Sequence, residues 1–456
     1  MTINELAIDT AGVLRAALGD RILFPGDEGF DAARTPWNVA IDQRPFAVVR
    51  PESAEEVVAV VRAATGAGLR IAPQSTGHAA GALGDADLSR TVLVSLAGLR
   101  GVVVDAAAQT ARVLGGSHWN DVLAVAAPHR LTALHGSAGD VSVVGYSLSG
   151  GLSFFVRSRG LGVNTVRAVQ IVTADGALVR ASADENPDLF WAVRGGAGAF
   201  GIVVSIEIDL LPIADIYAGM LLWDAERASE VSHAWAEWTT SAPETATTTL
   251  RVMSFPPLPE LPPFLSGRSV VVIDGAIEET DAAASALLEG LRALQPEMDT
   301  FGRIPSPALV AVHMDPPEPT PALTEHAVLD ELPPEAVDAF VASSRIPGLF
   351  VQEIRHIGGA AQRRPAHGGA IASLAGEYLI HSIAIVPAPE MAPGAMAATR
   401  AGVAALAPWH ADALALTFID GAGVDPARAY GDAWERLREL KAAYDPANVF
   451  SAARPV

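Results

Sequence analysis

One imidazole set among small side chains is the first feature of this 456-residue chain that could do chemistry: Pro73-Gln74-Ser75-Thr76-Gly77-His78-Ala79-Ala80-Gly81-Ala82-Leu83-Gly84. Small residues let backbone N–H groups approach a phosphate or a flat ring closely, and the histidine is then placed at that ligand. An ordinary Gly-rich turn has the same composition, so a second signal is needed. It comes from Gly136-Ser137-Ala138-Gly139-Asp140-Val141-Ser142-Val143-Val144-Gly145-Tyr146, equally rich in small residues. Further on, Val351-Gln352-Glu353-Ile354-Arg355-His356 alternates as a strand. Glu353 and Arg355 share one face of it, and Gln352, Ile354 and His356 the other.

The elements that must position these residues follow from periodicity. Leu69-Arg70-Ile71-Ala72 reads as the buried strand that delivers the His78 loop. Before it, Pro45 to Arg50 reads as a strand, and Ser53-Ala54-Glu55-Glu56 is a capping box. Val57, Val60, Val61 and Ala64 then recur at helical spacing until Gly66 and Gly68. Short strands follow at 92–95, 102–105 and 111–114, a helix at 118–127, and a hairpin turning at Asp175-Gly176. Ile202 to Leu211 is an apolar strand closed by Pro212. From about Ala214 the pattern becomes that of a separate α+β layer, with strands near 217–223, 247–253, 269–276, 350–356 and 377–386 and helices at 225–238 and 281–294. The proline-rich stretches 255–264 and 315–321 read as surface connectors, because proline has no N–H for a central strand. Ala429 to Lys441 reads as an amphipathic helix.

Composition narrows the function classes. The formal charge of −21 opposes nucleic acid and anionic membrane as partners, and no local basic cluster reverses it. No apolar run reaches the roughly 18 residues of a membrane span. The chain has no cysteine, which excludes disulfides, thiolate metal sites and thiol catalysis. His118, His129 and His135 lack metal-ligand spacing with nearby acids, so no metal is assigned. Met1-Thr2-Ile3-Asn4-Glu5-Leu6 has neither a basic nor an apolar leader pattern, so a cytoplasmic protein is expected. The usage of Ala, Gly, Pro, Asp and Arg is of bacterial type.

The His78 loop, the Gly136 segment running on to Arg157-Ser158-Arg159-Gly160-Leu161, Trp191-Ala192-Val193-Arg194-Gly195-Gly196-Ala197-Gly198-Ala199-Phe200-Gly201-Ile202-Val203, and Tyr444-Asp445-Pro446-Ala447-Asn448-Val449-Phe450 together resemble the berberine-bridge-enzyme-like oxidases of the vanillyl-alcohol-oxidase superfamily. The resemblance implies an α+β, two-domain fold: a discontinuous FAD-binding domain at 1–212, completed by a C-terminal return at 414–456, and an antiparallel-sheet substrate domain at 213–413. It implies FAD attached covalently through a ring nitrogen of His78. The family's second attachment point, a cysteine, is Ala138 here, so one bond is expected. Backbone N–H groups of Ser75, Thr76, Gly77 and Ala79 would face the pyrophosphate. Gln74, Gly84, Gly136, Ser137, Ala138, Gly139, Val141, Gly145, Tyr146, Gly198, Gly201, Ile202 and Val203 match positions around the cofactor, and Tyr444 and Asn448 match the closing motif.

Catalytic roles follow the same resemblance. Val143 matches the residue that controls oxygen access, and valine there leaves room for dioxygen. Glu353 lies on the acidic strand that faces the flavin ring, where desolvation would raise its pKa and suit it as the base; the alternative is a structural ion pair with Arg355. The family's Tyr-x-Asn is replaced by Ala415 and Thr417 on the strand before the C-terminal helix, so Tyr378 and His381 are the substitutes considered. The implied activity is hydride removal from a small organic substrate, an alcohol, phenol or secondary metabolite, with electrons passed to dioxygen. Two alternatives are an oxygenating flavoenzyme of the singly attached favorskiiase type, acting on a polyketide, and a flavin-binding protein without catalysis. Substrate identity and oligomeric state stay open.

Overall fold

The computed structural model describes residues 3–84, 86–421, 425–454 and 456. Among the described residues the strands form three sheets. The first holds the cofactor loop. Ala47–Val49, Thr91–Ser95 and Arg70–Gln74 run parallel, with Ile22–Leu23 added antiparallel at the edge. Parallel pairing requires a crossover, and the capping box supplies it. Ser53 accepts the Glu56 N–H at 3.1 Å and Glu56 accepts the Glu52 N–H at 2.7 Å, which starts the helix Ala54–Gly66. Its apolar stripe, Val57, Val60, Val61 and Ala64, is buried against the sheet.

The second sheet is antiparallel, in the order Val102–Asp105, Thr110–Leu114, Ile202–Asp209, Val166–Val172, Leu178–Ser182. It shares a core with the first, since Val172, Ile202 and Val204 cluster with Ile71, Val92 and Val94. The chain then passes Pro212 into an eight-stranded antiparallel sheet. Its order is Met298–Asp299, Asp215–Asp224, Ser269–Ile277, Ala246–Ser254, Val351–His356, Tyr378–Ile385, Ala322–Leu329, with Gly302–Pro305 also paired to Asp215–Asp224. One face is apolar and carries Trp223, Leu250, Ile354 and Ile380, packed against Trp235 and Phe340 of the covering helices Ala228–Thr239 and Pro334–Ser343, with Ala392–Ala404 beside them. The other face carries a polar patch, Arg251, Asp274, Glu353, Arg355 and His381, between apolar clusters that include Met220, Val272 and Leu379.

Several expected elements differ. The strand Ala322–Leu329 and the helices Pro334–Ser343 and Ala392–Ala404 were not foreseen, because proline at each entry reads as a connector. Proline at a helix start replaces an N–H that needs no partner there. The helix foreseen at 281–294 is two, Asp281–Leu287 and Glu289–Arg292. Gly431, at φ +51°, likewise splits the C-terminal helix into Pro426–Tyr430 and Trp434–Tyr444. Ala415 and Thr417 lie at a 3-10 turn, Leu416–Phe418, instead of a strand.

The last segment returns to the first sheet. Phe450 bridges in parallel to Ile71, with Ile71 N–H on Val449 O at 2.8 Å and Ser451 N–H on Ile71 O at 2.7 Å. Buried Asp445 shapes the turn by accepting the Val449 and Phe450 N–H groups and the Lys441 ammonium at 2.6 Å.

Candidate active site

The His78 ring is held from three sides. Its Nδ1 is 2.8 Å from Thr76 Oγ1, and its face stacks on Trp37 with centroids 4.2 Å apart and planes at 16°. Its Nε2 is buried without a hydrogen bond, 3.8 Å from Asp140 Oδ1. Trp37 donates its indole N–H to the other Asp140 oxygen at 2.6 Å. Burial pushes the Asp140 carboxyl up, but its contacts with His78 and Trp37 outweigh that and hold it below its usual range. Gly77 makes the bend: at φ +80° it is left-handed, and a Cβ there would lie 2.5 Å from Pro36 Cβ.

The loop forms one wall of a half-open cleft. Twelve of the sequence-assigned cofactor residues line it: Gln74, Ser75, Thr76, Gly77, His78, Ala79, Val141, Gly145, Tyr146, Gly198, Gly201 and Val203. Small side chains dominate, and the backbone N–H groups of Ser75, Thr76, Gly77 and Ala79 have no acceptor among the described residues. Unspent donors in a concave wall suit an anion such as a pyrophosphate. With the orphaned His78 Nε2 and Tyr146 hydroxyl, the cleft fits a dinucleotide carrying a flat ring.

Other assigned residues lie elsewhere. Val143 is fully buried in the core behind the cleft, because the helix Val143–Leu148, capped by Ser142, turns it inward; its neighbours Val141 and Val144 line the cleft instead. Gly84 packs on Ile41, Gly136 packs on the Tyr146 ring, and Ser137 and Ala138 sit beside Gly136 outside the lining. Ile202 points into the core between the first two sheets. Tyr444 lines a different groove, with Arg70 and Asp175, and Asn448 lies in the Asp445 turn outside the cleft. The tail instead contributes Ala452, Ala453 and Arg454. Thr417, which accepts the Gly151 N–H at 3.0 Å and donates to Ser149 O at 2.8 Å, completes that wall. Arg454 carried the missed signal: a cation two residues from the described end of a tail otherwise small and apolar.

The polar face of the eight-stranded sheet supplies the titratable groups. Cross-strand register places His326 beside His381, His381 beside Glu353, and Glu353 beside Arg251. Glu353 Oε1 accepts from Arg355 Nε at 2.8 Å and from His381 Nδ1 at 3.0 Å. His313 bridges to the next pair, with Nε2 3.3 Å from Glu353 Oε2 and Nδ1 3.0 Å from Asp274 Oδ1; Arg251 completes it, 2.5 Å from Asp274.

This geometry corrects two expectations. Burial alone would raise Glu353, but Arg355, His313 and His381 outweigh it and hold the carboxyl well below its usual range. Glu353 is therefore an ionised anchor, and the ion pair with Arg355 is real. Tyr378 is three residues from His381 and so on the opposite face. Its hydroxyl meets Thr239 Oγ1 at 2.8 Å and its ring stacks on His356, under the helical layer and away from the cleft.

Comparison with known proteins agrees with this geometry. Residues 45–182 match the model of a FAD binding domain, and residues 421–456 match that of the berberine and berberine-like segment. The chain is 34% identical over 212 residues to (R)-6-hydroxynicotine oxidase of Paenarthrobacter nicotinovorans, a stretch covering 46% of each protein. It is 33% identical over 211 residues to xylooligosaccharide oxidase of Thermothelomyces thermophilus, covering 45% of this chain and 42% of that one. The matched stretches thus span less than half the length of these relatives. In fold the likeness runs end to end: Physcomitrella patens BBE-like 1 superposes with a TM-score of 0.83 at 21% identity over 100% of this chain and 99% of that one. The 6-hydroxy-D-nicotine oxidase of Arthrobacter nicotinovorans gives 0.82 at 22% identity, over 95% and 96%. The chain thus carries a match to a FAD binding domain and, near its far end, one to a berberine-like segment, on a fold that it shares from end to end with Physcomitrella patens BBE-like 1.

Proposed function

We propose that the protein is an oxidase that anchors FAD through His78, removes hydride from a small organic substrate and passes the electrons to dioxygen. The observation that carries this is the orphaned Nε2 of His78 in a wall of unspent backbone donors, within a segment that matches a FAD binding domain. Bound FAD supplies the hydride acceptor and the site of reaction with dioxygen. Ser75, Thr76, Gly77 and Ala79 would hold its pyrophosphate, and Gly198, Gly201 and Val203 would allow close approach elsewhere in the lining. Ala138 and the absence of cysteine leave His78 as the single anchor.

On the sheet face, we assign the substrate proton to His381. Its Nδ1 is committed to Glu353, which sets the tautomer with Nε2 as acceptor. Glu353 acts through it as a positioning residue. The Phe418 ring stands edge-on to His381 with centroids 5.0 Å apart.

The test is the visible spectrum of the purified protein before and after acid precipitation, with mass spectrometry of the pellet. A yellow pellet with one FAD on the peptide containing His78 supports the anchor. A colourless pellet with free FAD removes the covalent bond and keeps the cofactor. Protein free of flavin removes the oxidase reading.

A further inference from the structure

Among the charged side chains of the polar sheet face, exposure is uneven. Asp274, Glu353, Arg251 and His313 keep 0%, 1%, 3% and 3% of their side-chain surface, while Arg355 keeps 17%. The two carboxylates are sealed behind their partners. What this face presents outward is a guanidinium edge.

That edge is only partly used. Arg355 Nε donates to Glu353, and Nη2 lies 3.1 Å from His313 Nε2, whereas Nη1 makes no hydrogen bond among the described residues. The guanidinium carbon stands 5.0 Å over the Phe418 ring, next to Thr417 of the cleft wall, and its charge reaches the unpartnered Tyr146 hydroxyl. A partly desolvated guanidinium with a free N–H pair offers donors only, so it selects an oxygen that is acceptor only. A neutral polyol presents donors as well as acceptors and leaves that preference unused. The Tyr146 ring in the cleft lining, and the Phe418 ring one residue beyond the lining Thr417, favour an aromatic or conjugated body.

We infer that the substrate is a planar organic anion whose carboxylate, enolate or phenolate oxygen docks on Arg355 Nη1 while its ring or conjugated plane lies against Phe418. This rests on the proposed flavin oxidase, because the Tyr146 wall belongs to the cofactor cleft. His381 and Arg355 then approach the substrate from one sheet face, the first for a proton and the second for the anionic oxygen.

The experiment titrates purified holoenzyme with matched pairs, benzoate against benzyl alcohol and 4-nitrophenolate against nitrobenzene, following perturbation of the flavin absorbance. Charge-assisted hydrogen bonding predicts tighter binding of the anion in at least one pair, on the order of 10- to 100-fold. Which pair responds separates carboxylate from phenolate recognition. The preference should vanish in R355Q and survive in part in R355K. Because R355Q strands Glu353, the double variant E353Q/R355Q, which removes both charges, is titrated beside it. Equal binding of anion and neutral partner by the parent, no perturbation by any anion, or a preference that persists in R355Q or the double variant overturns the inference. Protein purified without FAD overturns the underlying oxidase reading instead; flavin-loaded protein indifferent to charge overturns only the anion.

Discussion

Nδ1 of His381 lies 3.0 Å from Oε1 of Glu353, and the two residues face each other in register on adjacent antiparallel strands. A buried carboxylate held by Arg355 and His313 cannot turn to follow another partner, so it fixes the ring that it accepts from. Replacing His381 by Asn should slow flavin reduction by about 10²- to 10⁴-fold, the usual contribution of a positioned proton acceptor. E353Q should reduce the same rate less, and the double variant should be no worse than H381N, because both act through one imidazole. Anaerobic stopped-flow reduction measures all three; additive losses would separate Glu353 from His381.

Oxygen access should be set at Val141, which lines the cleft, and not at Val143, which is buried in the core behind it. V141L should slow flavin reoxidation by air with little change in stability. V143L should leave reoxidation alone and cost about 1–3 kcal/mol through overpacking, read from urea unfolding. The opposite pattern would return the gate to Val143.

Attachment at His78 should depend on the Trp37 stack and the Asp140 carboxylate. D140N and W37L should lower the fraction of flavin that stays with acid-precipitated protein while total flavin per chain changes little. D140E, which restores the charge, should recover more of the covalent fraction than D140N. If the fraction is the same in all three, the ring is positioned by Thr76 and the loop alone.

Asp420 gives a pH signature. Burial pushes its carboxyl up to about 6, and Arg454 offsets only part of that. A carboxyl raised above its ordinary value binds its proton more tightly in the folded state. Its contribution is therefore present at low pH and is lost as pH rises from about 4 through about 6. D420N should remove this loss, raising stability at pH 8 by on the order of 3 kcal/mol relative to the parent and changing it little at pH 4. Equal effects at both pH values would show that Asp420 does not titrate in this range.

Local composition made half of the site legible. The His78 loop, its preceding strand and the capping-box helix are continuous in sequence, and each carries its own signal. The partners of His78 do not: Trp37 and Asp140 come from separate loops, joined only by folding. Glu353 and Arg355 were legible as one face, and Arg355 is the chief cause of the lowered pKa of Glu353; the further contributions of His313 and His381, which reach it through a loop and through sheet register, were not legible. The placing of Tyr378 beside His381 failed on simple parity, since three residues along a strand change face. Val143 was misplaced for a related reason: where a short helix starts decides which of two neighbouring valines points outward. Tyr444 and Asn448 were misplaced because the tail turns at Asp445 and delivers its later residues to the cleft.

The bridge between Phe450 and Ile71 joins the end of the described chain to the strand that delivers His78. During synthesis that strand waits, lacking its edge partner, while some 370 intervening residues are made. The eight-stranded layer, built from residues 215–385, emerges in full before then. Biogenesis therefore has an inherent order: the eight-stranded layer can consolidate before the strand that delivers His78 gains its last neighbour, so the cofactor loop is the later part of the fold to be fixed.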